Sequence, residues 1–117
     1  MITIKETKRL IQEDPQNALI YLMDFVDDFR HHKDPLALAE SFPLTDERWD
    51  ALLASAATYL CQEVGLDPPE GVLKVPACKS PWFVSGLESL RAIALVESPL
   101  AFRIRKIFVL VNFMSRV

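Results

Sequence analysis

The sequence predicts a mostly α, compact single domain over residues 1–117: a bundle of about five helices with a short extended segment near the C-terminus. Three observations carry that reading. Apolar residues recur at three- and four-residue spacing through 18–29 and again through 49–64, the period of a helix with one buried face. Glycine is scarce (3) and proline frequent (8), so the prolines punctuate a chain of helices. A β-branched and aromatic run, Ile107-Phe108-Val109-Leu110, comes close to the end. With 117 residues, half of them hydrophobic, one core accounts for the chain.

Residues 3–13 form a short amphipathic helix on which Ile4, Lys8 and Ile11 share a face. Asp14 is a good N-cap and Pro15 fits the first helical position, opening a second helix. Its stripe is Ala18, Leu19, Leu22, Phe25, Val26 and Phe29, with Asp24, Asp27 and Asp28 off it. Arg30-His31-His32-Lys33 puts positive charge at its C-terminus, where the dipole favours it. Asp34-Pro35 ends this helix or opens a short turn through 36–39. A third helix, about 46–64, starts at Thr45 or Asp46, with Asp46 and Glu47 favouring an N-terminus, and carries Trp49, Leu52, Leu53, Ala56, Ala57, Leu60 and Val64. Gly65 closes it, ahead of Pro68 and Pro69.

Residues 66–82 read as a proline-rich connector, extended over 72–75 because Pro76 pushes Val75 out of helical space. Pro81 is expected to open a helical turn with Trp82 and Phe83, and Leu87, Leu90, Ile93, Ala94 and Val96 to line the helix that follows. Ser98 and Pro99 restart the chain as N-cap and first residue of a short helix ending near Arg103. Residues 107–110 are extended, and Asn112 caps a last turn over 113–116. Within 98–117, Phe102, Ile104, Phe108 and Leu110 are expected to point inward, and Arg103, Arg105 and Lys106 outward.

Several function classes are disfavoured. The longest apolar run, 107–111, is five residues, far below the roughly 18–20 that span a bilayer, and residues 1–10 lack the apolar stretch of a secretory signal. Two cysteines, Cys61 and Cys78, are too few for a disulfide framework, so reduced thiols and a cytoplasmic location are expected, with Cys61 a buried structural thiol. The cluster Asp24, Asp27, Asp28, His31 and His32 offers only two metal ligands per helix face, with no HExxH to complete a site. No phosphate-cradling glycine loop and no nucleophile elbow is present. The expectation is a non-enzyme with no catalytic, cofactor or metal residues.

Charge is unevenly spread within a net −3. Lys5, Lys8 and Arg9 against Glu6 make residues 1–9 +2; thirteen acids against Arg30, Lys33 and Arg48 make 10–70 −10; seven bases against Glu88 and Glu97 make 71–117 +5. An acidic body with a basic C-terminal third points either to internal complementarity or to a basic surface for an acidic partner. Arg103, Arg105 and Lys106, with Arg91 and Arg116 nearby, form a modest patch rather than the basic stripe of a nucleic-acid binder, and the pI of about 5.3 argues against autonomous nucleic-acid binding. Trp82 and Phe83 are aromatic anchors for a core or an interface.

Four stretches together carry a resemblance: 14-DPQNALIYLMDFVDDFR-30, 49-WDALLASAATYLCQEVGLDPP-69, 81-PWFVSGLESLRAIALVESPLAFRIRKIFV-109 and the closing NFMSRV. Over about residues 14–117 the chain resembles small bacterial and actinobacterial proteins of poorly defined function. The resemblance implies a gene beside a nucleotidyltransferase-like toxin of the abortive-infection type, and an antitoxin or accessory role for this chain. Longer relatives carry an N-terminal helix-turn-helix that this chain lacks, and a usual tryptophan after the proline pair is replaced by Gly71-Val72-Leu73. The expected partner-binding residues are Asp24, Asp27 and Asp28 on an acidic face, Arg103, Arg105 and Lys106 on a basic arm, and Trp82 with Phe83. An acidic face suits a basic nucleotide cleft; a basic arm suits a cluster of catalytic carboxylates. A homodimer by strand pairing through 107–111 is a further expectation. The alternative function is the sensing or dimerisation half of a transcriptional regulator without its DNA-binding domain.

Overall fold

A computed structural model describes residues 1–115; the expected last turn therefore runs partly outside the described residues, at Arg116. Among the described residues the chain folds into six α-helices, three 3-10 turns and one pair of two-residue strands, the mostly α single bundle that the periodicity predicts.

Helix α1 is Ile4–Glu13, capped by the Thr3 hydroxyl, which accepts from Glu6 N. The 3-10 turn Pro15–Asn17 leads into α2, Ala18–His32, so the proline expected to begin α2 instead shapes the turn before it. The Asp14 carboxylate accepts from Asn17 Nδ2 and the Tyr21 hydroxyl, which fixes that corner. A 3-10 turn, Pro35–Leu38, follows α2 as expected, with the Asp34 carboxylate accepting from Leu36 N.

Helix α3, Glu47–Val64, is the axis of the fold. The Asp46 carboxylate accepts from Arg48 N and Trp49 N at its start. Gly65 sits at φ 72° after its end, and Leu66 N reaches back to Cys61 O. Every residue from 50 to 58 is buried. The apolar stripe is thus widened to the whole circumference, because Ala51, Ala54, Ser55, Ala56 and Ala57 are small enough for neighbours to close in from all sides. Helices α1 and α2 cover one part of α3; α4 (Glu70–Leu73) and α6 (Leu100–Arg103) cover others.

The connector departs from expectation in two places. Residues 70–73 coil into α4, supported by a Lys74–Glu70 ion pair at i,i+4, so the extended segment expected at 72–75 is not seen. Gly71 is where α4 meets the loop before α3: a Cβ there would lie 2.3 Å from Ser41 Oγ. Trp82 and Phe83 form strand β1 rather than a helical turn, because β2 (Ile107–Phe108) supplies a parallel partner, Trp82 beside Ile107 and Phe83 beside Phe108. Helix α5 is short, Arg91–Glu97, after a 3-10 turn at Glu88–Leu90.

Candidate interaction surface

The C-terminal segment is phased differently from the sequence expectation. Helix α6 makes Ala101, Phe102 and Arg105 the inward set, at i, i+1 and i+4, and leaves Arg103 and Ile104 outside. Lys106, at φ 60°, then turns the chain into β2 and restarts the alternation, so Ile107 and Val109 are buried while Phe108 and Leu110 are half-buried. Phe102 is inward as expected. Ile104, expected inward, is 57% exposed, and Arg105, expected to dock outward, is 4% exposed.

Arg105 is accordingly a structural residue. Its guanidinium donates to Val75 O (3.2 Å), Val72 O (3.0 Å) and Thr58 Oγ1 (3.5 Å), tying the connector to α3. No carboxylate faces it among the described ion pairs, and burial pushes its pKa below the usual arginine value. Ser98, expected as an N-cap for α6, works elsewhere: its hydroxyl accepts from Val109 N (2.8 Å) and lies 3.0 Å from Val109 O, occupying the edge of β2 that β1 leaves open. The strand edge expected to pair with a second copy is thus filled at Val109.

Arg103 and Lys106 remain outside, with no carboxylate partner among the described ion pairs. Beside them lies the β1–β2 ribbon. Trp82 is half-buried, edge-on to Trp49 (5.3 Å between ring centroids), with the Arg48 guanidinium 5.7 Å from its ring. Phe83, also half-buried, stacks on Phe108 (5.0 Å, 21°), with Arg91 5.1 Å from its ring. An apolar recess of about 270 Å³ opens between Leu19, Val84, Leu110 and Phe113.

The acidic residues Asp24, Asp27 and Asp28 lie on α2. Asp24 is exposed and Asp27 half-buried. Asp28 works within the fold: its carboxylate accepts from Ile2 N at 2.7 Å and lies 3.4 Å from His32 Nδ1. Among the described residues no group of three or more His, Cys, Asp or Glu side chains is placed to hold a metal ion. No helix among them is long and apolar enough to cross a membrane. Cys61 and Cys78 are both buried, and burial raises both thiol pKa values, so each is protonated near neutral pH.

Two features escaped the sequence reading. One is the buried ion pair of Lys8 on α1 and Asp50 on α3. The other is the exposure of α5 and its flanks, where Leu87, Ile93 and Val96 were expected inward and are all exposed. A signal was available: 92-AIALV-96 offers no polar residue to face water, so burying one side of α5 leaves apolar residues on the other. Comparison with protein-family models, curated proteins and solved structures finds no match to this chain.

Proposed function

We propose that the chain is a non-catalytic binding protein of the antitoxin type, working in the cytoplasm, and that it neutralises a nucleotidyltransferase-like toxin through the ridge made by α6 and the β1–β2 ribbon. The observation that carries the choice of surface is the pair Arg103 and Lys106: both are exposed, neither is met by a carboxylate among the described ion pairs, and apolar Ile104 lies between them in sequence. Charged groups left unpaired beside apolar surface give a partner both orientation and burial. Trp82 and Phe83, held by their ring contacts, present rigid aromatic surface at low entropic cost. The acidic face is the weaker candidate because Asp28 already holds the segment before α1, through Ile2 N.

The mechanism is steric and electrostatic. A basic, aromatic ridge fits over a cluster of carboxylates of the kind that holds a catalytic metal, and occupies the space a nucleotide would need. Identification of the partner as a toxin rests on the family resemblance; the ridge itself requires only that the partner be acidic and partly apolar.

The test is co-expression of the tagged chain with its neighbouring genes, capture, and mass spectrometry of what co-purifies. A stoichiometric nucleotidyltransferase-like protein is expected, lost on Arg103→Glu/Lys106→Glu and kept on Asp24→Lys. A chain captured alone, with the neighbour expressed, would sink the reading. Salt-sensitive retention on promoter DNA would move it to the regulator class.

A further inference from the structure

Among the described residues four have a left-handed backbone: Gly65 (φ 72°), Gly86 (φ 70°), Lys33 (φ 53°) and Lys106 (φ 60°). Glycine takes that conformation freely, whereas a residue with a Cβ crowds its own carbonyl. The two lysines therefore need a reason. Lys33 has one in the fold. It closes α2, a helix of 15 residues, its backbone N–H donates to Phe29 O, and its charge sits where the helix dipole favours a cation. Lys106 has none of comparable weight. Helix α6 is four residues long and ends at Arg103, so it offers little dipole. The Lys106 side chain is exposed and meets no carboxylate among the described ion pairs; Nζ lies 3.5 Å from Lys79 O, the limit of a hydrogen bond. What the turn needs comes from the backbone. Lys106 N donates to Arg103 O (2.9 Å) and Lys106 O accepts from Trp82 N (2.9 Å), and a glycine would make both bonds.

We infer that Lys106 is the residue with which the ridge selects an acidic partner: the use of its side chain lies in contact with a partner carboxylate, not in the fold. The inference rests on the reading of the ridge as the partner surface, and narrows that surface to one residue whose backbone works against its side chain. Strained backbone of this kind persists where the surroundings over-determine it, and here they do. The bond from Trp82 N to Lys106 O ties the base of the lysine to β1, and the next residue, Ile107, pairs with Trp82 in the ribbon. Cation and aromatic anchor are thus rooted at a fixed spacing, so a partner carboxylate beside an apolar group is recognised as a pair. Lysine suits this role as a compact point charge on a long stem.

The test sets stability against binding, with the full chain and the purified product of the neighbouring gene. Lys106→Gly should melt at or above the wild-type temperature, because relief at the left-handed position outweighs the freedom glycine adds to the unfolded chain. The same variant should bind the neighbour's product about tenfold more weakly, or worse, by titration calorimetry. Lys106→Arg keeps the charge and should bind far closer to wild type than Lys106→Gly does. Lys33→Gly, relieved in the same way away from the ridge, should bind as wild type does. A Lys106→Gly chain that melts below wild type overturns the inference, because the side chain is then structural. So does a Lys106→Gly chain that binds as tightly as wild type while Arg103→Glu/Lys106→Glu does not, an outcome that leaves the antitoxin reading standing. A wild type that does not bind the neighbour's product sinks both.

Discussion

Lys8 and Arg105 are both fully or nearly buried cations, and the protein satisfies them in opposite ways. Lys8, on α1, is 0% exposed; its ammonium donates to Pro43 O (2.7 Å) and to the Asp50 carboxylate on α3, beneath the Phe42 ring. The other Asp50 oxygen accepts from Asp46 N, at the start of α3. One ion pair thus fixes α1, the 39–46 loop and the start of α3 together. Arg105 has no such counterion, only two carbonyls and a hydroxyl. The contrast teaches what a buried charge leaves behind when it is removed. Deleting Lys8 strands a carboxylate in the interior; deleting Arg105 strands only neutral acceptors.

That difference sets the order of effects. Lys8→Met should cost about 3–5 kcal/mol in urea unfolding, since an unpaired buried carboxylate remains. If the cost falls near 1 kcal/mol, Asp50 reaches water and the pair is not structural. Arg105→Met should cost less, about 2–3 kcal/mol, through its unsatisfied acceptors. A larger loss than for Lys8→Met would reverse the comparison. The double change Lys8→Met/Asp50→Leu should recover to within about 2 kcal/mol of wild type, because it removes both charges together. No analogous rescue exists for Arg105. The smallest effect belongs to Arg30, which bridges α2 to Glu63 on α3 and to Met114 O but stays about a third exposed. Arg30→Ala should cost about 1 kcal/mol or less, and raised salt should reduce that further.

The same two residues mark how far the sequence could be read. Lys8 could be placed on the face of α1 shared with Ile4 and Ile11, but its partner lies 42 residues on, and no local pattern names it. Arg105 was misplaced for a local reason. Placing 102 and 104 inward and 103 and 105 outward is the spacing of a strand, whereas the chain turns helically here and buries 101, 102 and 105. The long helices were legible because caps, stripe and closing glycine agree over many residues, as in α3. The short elements after residue 66 were not, because each takes its form from a neighbour distant in sequence: β1 from β2, and Ser98 from Val109. The candidate site inherits that pattern. Trp82, Phe83, Arg103 and Lys106 could be picked out by type, but which of the basic residues reach solvent depends on the phase of α6.

The three acceptors of Arg105 lie 30, 33 and 47 residues earlier in the chain. Its contacts need both α3 and the connector folded back on it, so the guanidinium is expected to shed its water late on the route to the native state. Arg105 becomes a latch on the unfolding clock rather than a seed for folding. Arg105→Met should quicken the unfolding arm of the chevron and leave the refolding arm nearly unchanged, a φ-value near zero. Stopped-flow refolding slowed in proportion to the lost stability would instead put Arg105 inside the nucleus.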